Sequence, residues 1–352
     1  MKLVTVKAEL SSSSARMKRI PLWNKIFVCL VLINFLSGCA APKVKIEVVE
    51  PAKYYKATQL KNIAVYDFSG KEGKAFSRQI EAALVNIRIK GKSFFNVIER
   101  EKLKMLKGEL NQSHDFYFDE SKAAEVGKMI GAQGIYVGKV LNASVSSKTY
   151  QEDRRKCKQR DENKKCIAYQ NYKVTCYSKN AYFKVTPKLI KVETGEIVYA
   201  RNISKKKAVK SCNNRLPSHA ELLSELKNKV ISEFVKDVAP HTGYSTLELI
   251  DDTKGLQPDQ KKLFEQGINF ANEKRMDRAC ALWKKIRAEG TETAAILYNL
   301  GVCVENDGDF NNALKLYKNA DSLLTKSNPL INKALTSTRE KIKKQRELAR
   351  QL

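Results

Sequence analysis

Catalytic and metal-binding chemistry finds little to work with in this 352-residue chain. Its three histidines, His114, His219 and His241, are scattered, fit no His-x-x-x-His pattern and read as surface residues. There is no Cys-x-x-Cys pair, no glycine-rich phosphate loop and no Gly-x-Ser-x-Gly elbow, and Asp67 is a lone carboxylate at a strand end. These absences argue against an enzyme, and neither a metal nor a cofactor is expected. Long apolar runs are missing too. The longest, Ile26 to Ile33 continued after Asn34 by Phe35 and Leu36, is about half of the roughly 20 residues a bilayer-spanning helix needs. Acidic residues are also scarce, with 38 Asp and Glu against 65 Lys and Arg, a net charge of +27.

What stands in place of a membrane span is a short export signal. Lys18, Arg19 and Lys25 form the positive flank of the apolar run, and Leu36-Ser37-Gly38-Cys39 follows it. That is the lipobox pattern at which a bacterial lipoprotein precursor is cut and acylated. Residues 1–38 are therefore expected to be removed and Cys39 to carry the lipid, with residues 39–58, broken by Pro42 and Pro51, serving as a tether. Ala40 after Cys39, rather than Asp, favours sorting to the outer membrane, facing the periplasm.

The leader holds six Lys or Arg and one Glu, which leaves +22 on the remainder. Between Lys148 and Arg215 there are 19 Lys or Arg against six Asp or Glu, so +13 of that charge sits in one segment. A basic field of this size attracts anionic partners. In an exported chain those are phosphorylated lipid headgroups, envelope polymers such as lipopolysaccharide or peptidoglycan, or an acidic protein, and not nucleic acid. Arg154, Arg155, Lys156, Lys205, Lys206, Lys207 and Lys210 are the candidate contacts. The plainer alternative is a solvated basic surface with no ligand.

Four cysteines, Cys157, Cys166, Cys176 and Cys212, fall in or near the same segment, and two more, Cys280 and Cys303, lie in the C-terminal part. Their spacings do not suit zinc, and an exported chain sits where thiols oxidise. Two disulfides are expected in the first group, with three pairings open, and Cys280 and Cys303 are either buried thiols or a further pair.

Along the chain, Ile63 to Phe68 reads as a strand, Phe76 to Ile87 as a helix and Phe94 to Ile98 as a second strand. A helix carrying Leu103, Leu106 and Leu110 follows, then another from Glu120 to Ile130 stopped by Gly131. Ile135 to Val140 is a strand continuing toward Ser147, and Tyr182 to Ile190 and Ile197 to Ala200 form a hairpin through Glu193-Thr194-Gly195-Glu196. Leu222, Leu223, Leu226, Val230 and Phe234 mark an amphipathic helix ended by Pro240.

Four of these stretches, Ile63 to Phe68, Val97 to Arg100, Gly131 to Gly138 and Leu189 to Ile197, stand in an order that resembles the curli production assembly/transport lipoprotein (CsgG-like) family. The related penicillin-binding-protein activator lipoproteins and TolB-type amino-terminal domains share it. The resemblance implies an α+β protein whose α/β domain has a mixed sheet over residues 59–245, with a Cys-rich basic insert at about 146–180. Secreting members of that family insert two long strand pairs per subunit into an outer-membrane barrel. Here the first of those places, Ser146 to Lys156, and the second, Lys205 to Pro217, are too charged to face lipid, so a pore is the second reading and self-association stays open.

Beyond Pro258 the pattern changes. Gly267 and Gly301, Ala279 and Ala313, and Trp283 and Tyr317 are each 34 residues apart, the period of a tetratricopeptide repeat. Two repeats, about 260–293 and 294–327, closed by a capping helix from about Asn328 to Leu352, are expected to form an all-α domain with a groove for a protein partner. The whole reads as a non-enzymatic, lipid-anchored adaptor for assembly or regulation of an envelope or secretion machine.

Overall fold

The computed structural model describes residues 42–99, 120–212 and 215–352. Cys39 and the helix expected around Leu103, Leu106 and Leu110 lie outside them, as does His114.

The first described segment departs from expectation. Residues expected to form a tether are a strand, β1 (Lys43–Glu50), paired antiparallel with a distant strand, β10 (His241–Glu248), from Lys43 opposite Glu248 to Glu50 opposite His241. The cause is alternation: Val44 and Ile46 point into an apolar core while Lys43, Lys45 and Glu47 face water. The unit boundary shifts accordingly. The α/β unit ends before His241, and β1 and β10 belong with the C-terminal helices.

Inside the α/β unit, α1 (Tyr55–Thr58) leads to β2 (Asn62–Val65) and α2 (Gly73–Val85). A small ribbon of β3 (Arg88–Ile89) and β4 (Lys92–Ser93) precedes β5 (Asn96–Val97), and α3 (Glu120–Met129) precedes β6 (Gly134–Arg160). Then come β7 (Cys166–Lys191), β8 (Ile197–Ala200), β9 (Ile203–Ser211) and α4 (His219–Val238). The sheet is mixed, in the order β5-β2-β6-β7-β8 with β9 also on β7. Strand β2 runs parallel to β5 and β6, and the remaining pairs are antiparallel. Helix α4 starts in a capping box between Ser218 and Glu221 and lays Leu222, Leu226, Val230, Phe234 and Val238 over Phe183, Tyr136 and Tyr199. Helix α3 covers the opposite face around Ile135, Val137 and Ile190.

The main surprise is the length of β6 and β7. The Cys-rich basic stretch at about 146–180 is not an insert between short strands: it is the outer half of one hairpin of 27 and 26 residues, joined at Asp161–Lys165. A register shift between Val140 and Asn142 swaps which residues face α4.

After β10 come α5 (Pro258–Asn272), α6 (Met276–Ala288), α7 (Ala294–Asn306), α8 (Phe310–Ser322) and α9 (Pro329–Gln351). They share a core with β1 and β10. No helix among the described residues is long and apolar enough to cross a membrane.

Candidate functional site

Past the last β7–β9 pair, Tyr177 with Ser211, β6 and β7 run on as a free two-stranded arm. From Tyr150 opposite Cys176 to Arg160 opposite Cys166 it extends ten residues, about 33 Å at strand rise. A lone hairpin of this polarity is marginal in water. Two disulfides hold it: Cys176–Cys212 ties its root to the end of β9, and Cys157–Cys166 closes it near the tip. A third, Cys280–Cys303, joins α6 to α7. Glu152 lies beside Cys176 and Cys212, but with both sulfurs in a disulfide this cluster offers no thiolate to a metal.

Strand register divides the seven candidate cations into two groups. Residues whose side chains fall on the α4 side are engaged: Lys205 pairs with Glu233 and Lys207 with Glu225. Arg201, on the same flank, reaches Glu233 and the fully buried Asp237, which also accepts from the Tyr199 hydroxyl at 3.0 Å. Ion pairing holds the carboxyls of Glu225 and Glu233 below their ordinary value: Lys207 and Lys229 act on Glu225, Lys205 and Arg201 on Glu233. Burial, with Asp237 adding to it, pushes the Tyr199 phenol well up. These basic residues dock α4 on the sheet and are not available to a ligand.

Those on the other face form a stripe. Lys206 stands opposite Tyr182 and Lys210 opposite Ser178, which is itself opposite Lys148; Tyr150, Arg154 opposite Tyr172, and Lys156 continue it outward. Lys184 begins the row. Six cations thus line one face of β6, β7 and β9 over about 45 Å, from Lys184 to Lys156, with tyrosines between them and Glu152, 3.3 Å from Arg154, the one acid in the row. Among the described residues Lys148, Lys184, Lys206 and Lys210 meet no carboxylate. Arg155 falls on the opposite face, over the Tyr169 ring at 4.9 Å, and Lys156 lies 5.9 Å from the Tyr172 ring. Tyr172, in the row, is 42% exposed, whereas Tyr169 and Tyr177 lie on the other face with Arg155. Composition located the charge; only the register shows that Lys148 and Lys184 belong to the row and that Lys205, Lys207 and Arg155 do not.

Of the histidines, His219 bonds to Ser147 Oγ at 3.0 Å. His241 is half-buried at the start of β10, where burial lowers its pKa.

In the helical unit the two sets of spaced residues occupy equivalent places. The Trp283 ring lies against Gly267 and donates to Phe264 O at 3.3 Å; the Tyr317 ring lies against Gly301 and donates to the buried Glu305 at 2.6 Å. Ala279 and Ala313 are fully buried where each second helix crosses its first. Glu305 also accepts from Thr338 and Lys341, so α9 closes over the second pair.

None of the curated proteins matches the chain. Among solved structures, the LpoB C-terminal domain from Salmonella enterica shares 15% identity, covering 53% of this chain and 98% of that one at a TM-score of 0.25. Lipoprotein GNA1162 from Neisseria meningitidis shares 11% over 49% of this chain and 97% of its own, with a TM-score of 0.28. A PelC dodecamer from Paraburkholderia phytofirmans shares 12% over 56% and 98%, with a TM-score of 0.26. At scores this low the three likenesses carry no weight on role. A protein-family model described as curli production assembly/transport component CsgG matches residues 41–216, half of the chain, spanning β1, the whole mixed sheet and the arm. The chain belongs to the CsgG family.

Proposed function

We propose that this protein is a non-enzymatic lipoprotein of the bacterial envelope, acylated at Cys39 and held at the outer membrane facing the periplasm, where it serves as an adaptor in assembly or regulation of an envelope machine. Family membership supports an assembly role. The helical unit is read as a pair of tetratricopeptide repeats with a cap, on the strength of the matched Gly267–Trp283 and Gly301–Tyr317 seats, and takes a protein partner in its groove.

The observation that carries the reading furthest is the stripe from Lys184 to Lys156. Like charges at this density repel one another, and a polyanion laid along the face would relieve that repulsion. Interleaved tyrosines suit a sugar-rich chain, since a ring offers an apolar face beside a hydrogen-bonding hydroxyl. The partner proposed is an anionic envelope polymer, lipopolysaccharide or cell wall.

A curli-type pore is disfavoured on the same grounds. In the arm Arg154 and Lys156 stand on one face, Arg155 and Lys173 on the other, so neither face could meet hydrocarbon without burying charge.

Cosedimentation with purified cell wall and with lipopolysaccharide aggregates, at low and high salt, tests the proposal. Binding that salt abolishes, and that Lys184→Ser/Lys206→Ser/Lys210→Ser loses while Arg155→Ser keeps, is the expected result. No binding by the unaltered protein, or equal binding by all variants, would refute it. Because β1 and β10 pack on the helices, deleting everything after Pro258 would uncover Val44, Ile46 and Leu247. Point substitutions are therefore the sounder test of each surface.

A further inference from the structure

Strand β1 and helix α9 lie side by side and run in the same direction. Lys333 is 3.9 Å from Glu248, which is also 4.0 Å from Lys43 at the start of β1. Farther along, Lys341 donates to Ser245, which stands opposite Ile46, and Lys344 pairs with Glu50 at 2.6 Å. At the end, the Gln351 side chain clasps Ala52: its Oε1 accepts from Ala52 N at 2.7 Å and its Nε2 donates to Ala52 O at 3.0 Å. Lys61, at the entrance to β2, donates to Gln351 O at 2.9 Å. The matched order 43, 46, 50, 52 against 333, 341, 344, 351 fixes the polarity. One end of this strand–helix pair is where β1 begins, and the other is the junction with the α/β unit, about 30 Å away at strand rise.

The beginning of β1 is already pinned, because Leu249 N donates to Pro42 O at 2.8 Å and Asn299 of α7 clasps both backbone groups of Ile250. Between Cys39 and Pro42 the chain can span at most about 11 Å, whatever its conformation. A lipid on Cys39 therefore cannot sit far from the end of the helical unit where Lys43, Glu248 and Lys333 meet.

Resting on the acylation of Cys39 proposed above, we infer that this end of the helical unit is the surface apposed to the phospholipid headgroups. The β1–α9 pair then acts as a rigid stem that holds the α/β unit and its arm off the bilayer. Polymer binding by the stripe does not require this arrangement, and the arrangement does not require the stripe.

Helix α9 provides its own ruler. Thr336, Lys343 and Arg350 are exposed, seven residues apart on one side of the helix, and cover about 21 Å of its axis. Single Thr336→Cys, Lys343→Cys and Arg350→Cys variants of the full, acylated chain would each carry a bimane label. They would be reconstituted in phosphatidylethanolamine–phosphatidylglycerol vesicles containing a headgroup nitroxide. Emission lost at Thr336, partly kept at Lys343 and kept at Arg350 is the expected outcome. A reversed gradient, or equal loss at all three as for a helix lying flat on the lipid, overturns the stem while leaving the anchor intact. Failure of the unaltered protein to float with vesicles overturns the anchor, and the stem with it.

Discussion

Replacing Gly267 by alanine sets two effects of opposite sign against each other. In an unobstructed helix interior this change stabilises by about 1 kcal/mol, because glycine has more backbone freedom to lose. Here the new methyl carbon would stand 2.8 Å from Trp283 Cε2 and 3.1 Å from Cδ1, and closer still to Nε1. The ring has nowhere to go: it is fully buried, tilted against Phe264 and tied to the Phe264 carbonyl. Overfilling a packed core of this kind costs about 1–3 kcal/mol, and with the ring held on every side the cost falls in the upper part of that range, so overpacking wins and the variant is expected to be less stable by up to about 2 kcal/mol. Urea unfolding followed by far-UV circular dichroism measures it. The chain's other tryptophan, Trp23, lies in the proposed leader, so indole emission from protein beginning at Cys39 would report this site alone. A double-mutant cycle sharpens the test. Trp283→Ala removes the ring that the methyl would strike, so the double variant should be destabilised by less than the sum of the singles, by at least about 0.5 kcal/mol. Stabilisation by Gly267→Ala, or an additive cycle, would refute the close-seat reading. Gly301→Ala, whose Cβ would meet Tyr317 Cε1 at 2.5 Å, should behave alike.

Tyr136 is fully buried beneath Phe234, and among the described residues its hydroxyl has no hydrogen-bond partner. Tyr136→Phe should therefore stabilise the α/β unit by about 1 kcal/mol in the same urea assay, and a loss of stability would show that the hydroxyl is satisfied after all. Breaking Cys157–Cys166 with paired serines should leave the global melting temperature unchanged and speed amide exchange from Gln151 to Thr175. Breaking Cys176–Cys212, which closes a longer loop at 36 residues of separation against nine, should lower the melting temperature too, by a contribution of about 4 kcal/mol on chain-entropy grounds. Unaltered exchange in both variants would count against the staples. Because Lys205 and Arg201 hold the Glu233 carboxyl below its ordinary 4.5, and Lys227 does the same for Glu72, their contributions are complete above that value. They are lost as pH falls through the lowered folded values. Melting temperature should be level from neutrality to about pH 5 and drop below it, and Glu233→Gln should be less stable at pH 7 with a shallower acid fall.

How legible each element was depended on where its partner lies. Ile63 to Val65, the turn around Gly195, and α4 were readable because each announces itself within a dozen residues, by apolar run, turn chemistry or helical spacing. The Trp283 and Tyr317 seats were readable because the 34-residue spacing brings its own internal comparison. Strand β1 was missed although Lys43 to Val48 alternates plainly. Pro42 and Pro51 weighed more than six residues of pattern, and the strand that pairs with it lies on the far side of the α/β unit. The arm was missed as a strand for a different reason: with polar residues on both faces it has no period-2 signal to read. The basic charge was legible as a quantity but not as a surface, because alternation along β9 sends Lys205 and Lys207 to carboxylates and Lys206 to solvent. The register that decides this, with Tyr182 opposite Lys206, is set by pairing between distant strands and leaves no local mark.

The pairing of β1 with β10 also bears on biogenesis. β1 emerges just behind the cysteine that would carry the lipid, yet its partner is made only after the whole sheet, arm and α4 have followed. Until then Val44 and Ile46 have nothing to pack against and a row of backbone donors and acceptors is left unpaired. An interrupted chain ending before His241 would stay on the membrane with that strand unsatisfied, open to proteases and chaperones. A finished one hides it under five helices. The same eight residues thus distinguish a complete molecule from a fragment at the place where both would be tethered.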